Sequence, residues 1–296
     1  MDDLGFLVQL MVNGLLIGLM YALIALGFVL VYKATDAINF AQGEFVMAAG
    51  FVAAVVAAAA ENFWAAVIVS LVVMVGFAFA LERGVLRPLL GRPVVAVIMA
   101  TIGLAAILRG LVPFIFGSGV RPLPVPVSDE PIEIWILRLQ PIQLVGAGVA
   151  LLFLAAFTWF FLKSRMGVAM RAVADNQQVA MAMGINVERY FALAWAMAGV
   201  VAALGGVVWG GMLGVDVQLA LVGLKVFPVV ILGGLDSIVG AVIGGLIIGV
   251  VENVAAGYFD PYVGGGTKDF APYVLMIVAL MFRPYGMFGK RKIERV

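Results

Sequence analysis

Long apolar runs separated by short polar breaks dominate the chain, and that pattern predicts helices. Runs at 7–32, 37–60, 63–81, 94–116, 142–162 and 190–213 approach or exceed the ~20 residues that carry an α-helix across ~30 Å of hydrocarbon. Three weaker runs follow: 219–232, short and holding Lys225 and Pro228; 237–254, rich in glycine; and 271–282. The breaks are polar, glycine-rich or proline-bearing. They are Lys33-Ala34-Thr35-Asp36, a basic connector with Arg83, Arg87, Pro88, Arg92 and Pro93, and an extended loop at 117–141 with Pro122, Pro124, Pro126, Pro131 and an exposed Trp135. A turn at Gly233-Gly234-Leu235-Asp236 and a loop at 255–270 with Gly264-Gly265-Gly266 complete the set.

The longest polar stretch between two strongly apolar runs is 163–189. Its spacing predicts one helix with Val168, Ala172, Val179 and Met183 near one face, kept slim by Ala169, Ala180 and Ala182. Gly184 ends that helix and Ile185-Asn186 turn away. With Lys163, Arg165, Arg171 and Arg189 on its flanks, the segment either lies in another protein's groove or is a solvated inter-helix loop. Its methionines, Met166, Met170, Met181 and Met183, read as packing residues.

The second apolar run is polar where a span should be greasy, at Ile38-Asn39-Phe40-Ala41-Gln42-Gly43-Glu44. A carboxylate in hydrocarbon costs roughly 2.5 kcal/mol or more. Asn39, Gln42 and Gly43 fall on roughly one side of a helix. Either Asn39, Gln42, Gly43 and Glu44 line a path for a polar solute beside a broken helix, or they sit at the headgroup boundary or bond a neighbouring helix. Glu252 and Asn253 read as interfacial, Arg109 as snorkelling outward, and Lys225 as the partner of an unnamed carboxylate within the bundle. Gly240, Gly244, Gly245 and Gly249, and Gly205/Gly206 with Gly210/Gly211, have the small-xxx-small spacing of close helix contact. The runs entered after Asp36 and Asp236 also form a faint internal repeat, each broken at its start.

Composition fixes the class. The 296 residues are 65% hydrophobic and 12% charged, where a soluble domain is about half apolar and a quarter charged. That excess cannot fit one globular core, so the chain is an all-α, polytopic transmembrane bundle of eight or nine spans, some broken, forming a single domain over 1–296. The absence of His and Cys removes disulfides, thiolate or imidazole metal sites and a histidine base, and with them most hydrolase and metalloenzyme readings. No catalytic or metal-binding residues are expected. The net charge of +1 gives no sign of nucleic acid. Asp2 and Asp3 stand where a basic leader would begin, so no signal peptide is expected.

Lys and Arg set the orientation. With the N-terminus outside, Lys33, Arg83, Arg87, Arg92, Lys163, Arg165, Arg171, Arg189, Arg283, Lys290, Arg291, Lys292 and Arg295 all fall inside, 13 of the 18 basic residues. The segment 163–189 and the tail 283–296 are then cytoplasmic and the proline-rich loop external, with nine crossings if 219–232 counts as one and eight if it is re-entrant.

Three functional classes fit: a transporter subunit worked by a separate motor, an ion-coupled carrier, or a membrane-embedded enzyme. No GxxxxGK[ST] motif is present, so ATP is not bound here by that route. Intramembrane acids are few for an ion-coupled carrier, and no nucleophile–base pair is evident.

INFAQGEF at 38–45, RAVADNQQVAMAMGINVER at 171–189, ILGGLDSIVGAVIGGLIIGVVE at 231–252 and RPYGMFG at 283–289 resemble the shorter permease of branched-chain amino-acid ABC uptake systems. The resemblance covers nearly the whole chain. It implies a cytoplasmic (inner) membrane permease with no cofactor of its own, ATP being bound by two cytoplasmic ATPase subunits. It also implies a second, longer permease, or a second copy, and a periplasmic or lipid-anchored binding protein that delivers leucine, isoleucine or valine. Sugars, urea and amides serve the wider superfamily. The segment around Ala180-Met181-Ala182-Met183-Gly184 stands in place of the importer coupling motif, without its leading Glu. Contact with the ATPase is thereby assigned to Arg171, Asp175, Asn176, Gly184, Ile185 and Asn186 as a segment. The mechanism implied is alternating access, with no covalent chemistry in this chain.

Overall fold

Nearly every apolar run is a helix in the computed structural model, which describes residues 3–89 and 91–289. The helices are α1 (Asp3–Thr35), α2 (Gln42–Ala60), α3 (Phe63–Leu81), α4 (Val94–Phe116), α5 (Pro141–Lys163), α6 (Arg165–Asp175), α7 (Gln177–Ala182), α8 (Val187–Leu213), α9 (Leu221–Gly233), α10 (Ile238–Val263) and α11 (Thr267–Phe282). Irregular turns of helix at Glu82–Leu86 and Arg87–Leu89 continue α3, and another at Val217–Ala220 precedes α9. Basic tail residues Lys290, Arg291, Lys292 and Arg295, like Asp2, lie outside the described residues.

The local chemistry of the ends explains the boundaries. The Asn62 side chain accepts from Ala65 N and starts α3, and Ser237 does the same for α10 through Gly240 N. Four expectations need correction. The second span begins at Gln42, because residues 36–41 leave the helix at Asp36, whose φ is 56°. The polar stretch is two helices: Asn176 is extended, accepts from Val179 N and caps α7, which interrupts the apolar periodicity. Helix α10 runs through Pro261 to Val263 and closes at Gly264, in a left-handed conformation at φ 83°. Residues 255–263 are therefore helical, and α11 starts at Thr267, whose amide donates to Asp260 Oδ1 at 2.9 Å. The loop at 117–141 contains a short antiparallel hairpin, β1 (Ile132–Ile134) with β2 (Leu137–Leu139), which carries Trp135 fully outward at its tip.

Among the described residues, seven helices are long and apolar enough to cross a membrane: α1, α2, α3 with its continuation to Leu89, α4, α5, α8 and α10. Helices α9, with 13 residues, and α11, with 16, reach ~20 and ~24 Å at ~1.5 Å per residue. Both fall short of ~30 Å of hydrocarbon.

The chain divides into two compact units. One holds residues up to 25, 127–151 and those from 225 onward. Its helices meet backbone to backbone. A Cβ on Gly18 would lie 2.9 Å from Leu246 Cα, one on Gly245 3.1 Å from Ala22 N, and one on Gly244 3.2 Å from Gly233 N. The small-residue spacing of α10 is thus spent on contacts inside the chain. Gln9 clasps the hairpin, donating to Arg138 O at 2.8 Å and accepting from Arg138 N at 2.7 Å. The RPYGMFG segment closes on the end of α9: Met287 N donates to Leu232 O at 2.8 Å and Phe288 N to Gly233 O at 3.1 Å.

The other unit holds 26–126 and 152–224. Its core is α2, α3 and α8. A Cβ on Gly206 of α8 would sit 2.7 Å from Gly50 N of α2, and one on Gly199 2.6 Å from Met74 O of α3. Ser70 donates to Ala49 O at 3.0 Å. Phe45, Phe77 and Trp195 cluster between these helices, with centroids 5.5 Å (Phe45–Phe77) and 6.2 Å (Phe45–Trp195) apart. Phe51 stacks on Phe116 of α4 at 5.9 Å.

Candidate functional site

The break between α1 and α2 is the most polar buried place in the second unit. Asn39 and Gln42 are fully buried and Glu44 nearly so. Such groups must find partners where water is scarce, and they do. Asn39 Nδ2 donates to Gln42 Oε1 at 3.2 Å, Ala41 N donates to Asn39 Oδ1 at 3.1 Å, and Gln42 Nε2 donates to Ala198 O of α8 at 3.4 Å. Thr101 of α4, also fully buried, accepts from Phe40 N at 3.3 Å. Sequence reasoning passed over Thr101; its signal was one hydroxyl in an otherwise apolar run.

The structure joins Asn39 to Gln42 and separates the other two. Asn39 lies in the irregular link between α1 and α2 rather than on a helix face. Gly43 faces the turn before α9 and the start of that helix: a Cβ there would collide with Ala220 O and lie 3.1 Å from Gly223 Cα. Glu44 turns towards α4, where Arg109 donates to its Oε1. Arg109 thus pairs within the chain while half of its side chain remains exposed.

Lys225 finds two carboxylates in the first unit, Asp269 at 2.7 Å and Glu252 at 3.6 Å. Glu252 is buried rather than interfacial: its side chain is 8% exposed.

The polar segment hangs on the same break. Gln177 Nε2, at the start of α7, donates to Ala34 O at 3.1 Å, two residues before Asp36. Arg171 donates to Phe161 O at the end of α5, and its guanidinium lies 5.5 Å from the Phe161 ring centroid. Asn176 caps α7 and Asn186 caps α8, accepting from Arg189 N at 3.1 Å. Gly184, at φ 80°, closes α7 while Ile185 N reaches Ala180 O at 3.0 Å. Arg171, Asn176, Gly184, Ile185 and Asn186 thus shape and fasten the segment. Asp175 lines a cleft of about 340 Å³ together with Thr35, Asp36, Arg87, Asn176 and Gln177. Phe191 and Trp195 also line it, and Trp195 is the residue that meets Phe45 behind the break.

Apolar atoms cap the segment's outer surface. Val168, Val179, Met181 and Met183 are all more than half exposed, and Met183 reaches 77%. Only Met170 of the four methionines is buried, so Met166, Met181 and Met183 are not packing residues in this chain.

A chain with seven helices, among the described residues, long and apolar enough to cross a membrane is a multi-pass integral membrane protein. Its residues 10–281 match the model of the branched-chain amino acid transport system permease component, and the chain belongs to that family. It is 32% identical to the high-affinity branched-chain amino acid transport system permease protein LivH of Salmonella typhimurium, over 98% of each chain. It is 31% identical to LivH of Escherichia coli K12, again over 98% of each. With BraD of Pseudomonas aeruginosa, a high-affinity branched-chain amino acid transport permease, identity is 30% over the whole of both chains. This chain is a transport subunit, the permease component of an ABC transport system.

Proposed function

We propose that the chain carries leucine, isoleucine and valine across the bacterial cytoplasmic membrane as one of two permeases in an ATP-driven importer. Two cytoplasmic ATPase subunits bind and hydrolyse the nucleotide, and this chain holds no cofactor. A longer second permease completes the path, and a periplasmic or lipid-anchored protein delivers the cargo. The N-terminus is outside; α6, α7 and the basic tail are inside.

One observation carries the mechanism: Gln177 ties α7 directly to Ala34 beside the break. When ATP closes the motor, the groove holding Val179, Met181 and Met183 moves. The bond to Ala34 passes that motion to residues 36–41, and the Asn39–Gln42 cluster changes its exposure. Gly43 and Gly223 permit this because no side chain separates their backbones. Selection of cargo rests with the binding protein, so the path needs polar groups rather than a tight pocket.

Uptake of labelled leucine by proteoliposomes tests the reading. The complete assembly, with ATP on the motor side and loaded binding protein on the other, should accumulate leucine. The same assembly without ATP, and this chain alone under an ion gradient, should not. Leucine movement by the isolated chain would favour an ion-coupled carrier. A complete assembly that refuses leucine but carries an amide, urea or a sugar would reassign the cargo.

A further inference from the structure

We infer that Glu44 and Arg109 form a subsite for the two charged ends of an amino-acid zwitterion, Arg109 taking the carboxylate and Glu44 the ammonium. The inference rests on the cargo class proposed above. Among the described residues of the second unit, Arg109 is the only charged group in the interior of an apolar helix, and its partner Glu44 is buried. They sit in mid-helix on α4 and in the first turn of α2.

Exposure points to a ligand. The Glu44 side chain is 3% exposed, whereas that of Arg109 is 50% exposed. A guanidinium has five N–H donors, and the bond to Glu44 is its hydrogen bond among the described residues. Hydrocarbon cannot satisfy the remaining donors, so the free side of the guanidinium needs a polar partner from outside this chain. The surface around it is also open. Ala106 is exposed, and a Cβ on Gly103 or Gly110 would meet nothing within 4 Å.

The chemistry matches the cargo at both ends. A guanidinium fork binds a carboxylate with two parallel hydrogen bonds, and a carboxylate accepts from an ammonium. A zwitterion can therefore exchange with the pair, each charge replacing one partner with another of the same sign. The pair has no net charge, so it sets no barrier against a cargo that has none. A sugar or an amide offers no such exchange.

The test uses the complete transporter in proteoliposomes, with binding protein saturated by leucine so that its own selection is constant. Arg109→Gln and Glu44→Gln should each reduce the maximal rate of leucine uptake at least tenfold, and Arg109→Lys should restore part of it. The deciding variant is Arg109→Gln/Glu44→Gln. It removes both charges and leaves none unpaired, so it keeps the fold even if the single variants do not. A zwitterion subsite predicts that the double variant, assembled in normal yield, is as defective as Arg109→Gln. Recovery to within twofold of the wild type would show a structural tie and overturn the inference. Wild-type vesicles that carry no leucine would instead refute the cargo assignment.

Discussion

Lys225→Met separates a buried charge from its partner, and the geometry sets the size of the effect. Lys225 of α9 lies 2.7 Å from Asp269 of α11 and 3.6 Å from Glu252 of α10. The Asp269 side chain is 60% exposed, so that contact is worth about 0–1 kcal/mol. Glu252 is different. Its side chain is 8% exposed. Removing the partner of a buried charge costs about 3–5 kcal/mol, and the 29% exposure of Lys225 brings our expectation to about 2–4 kcal/mol. Asp269→Asn should cost under about 1 kcal/mol. The double variant Lys225→Met/Glu252→Met, which replaces the charges with apolar side chains, should fall well below Lys225→Met alone. Thermal unfolding in detergent, followed by the emission of the five tryptophans, checks this order; the chain has no cysteine for a thiol dye. A shift of about 2–4 °C per kcal/mol makes it measurable. If Lys225→Met melts no lower than Asp269→Asn, or if the double variant melts no higher than Lys225→Met, the buried-pair reasoning is wrong.

The other predictions concern the break and the segment below it. Gly184→Val should insert normally but lose uptake, because a β-branched residue at φ 80° costs about 1–2 kcal/mol or more and turns α7 aside; Gly184→Asn should retain most uptake, and ATP-driven leucine uptake in proteoliposomes checks both. Gln177→Leu removes the donor to Ala34 while keeping the surface of α7, so the assembled complex should hydrolyse ATP with leucine uptake reduced several-fold; paired ATPase and uptake assays read this directly. Gly43→Ala forces a Cβ against Ala220 O and Gly223, a clash worth about 1–3 kcal/mol, and should lower both melting temperature and uptake. Glu44→Ala should reduce uptake without preventing assembly, measured as transport rate against the yield of intact complex.

Much of the fold can be read in the chain because the spans have local end signals. Phe63–Leu81 and Val94–Phe116 match their apolar runs residue for residue, with Asn62 and Pro93 as start signals that need no tertiary information. The break at Asp36 was visible as polar residues at the head of a greasy run. The division of α6 from α7 was also written locally, in Asn176 followed by Gln177-Gln178, but apolar spacing on both sides concealed it. The continuation of α10 past Ala255 was missed because Gly257 and Pro261 look like loop residues, whereas the left-handed stop is Gly264. The partners of Arg109 and Lys225 could not be read at all. Arg109 and Glu44 are 65 residues apart in the chain, and only packing of α4 on α2 decides that they meet. The outward turn of Met181 and Met183 is likewise tertiary: spacing describes a face but not which side of it finds a partner.

The central claim is that a separate ATPase grips α6 and α7 from inside the cell. A photo-crosslinking residue at Met183, 77% exposed in this chain, tests it most directly in intact cells that contain the whole system. Illumination should join this chain to the ATPase subunit, with a yield that changes when nucleotide is trapped. Crosslinks confined to lipid or to the external binding protein, or labelling of position 183 by a reagent that cannot cross the membrane, would contradict the account.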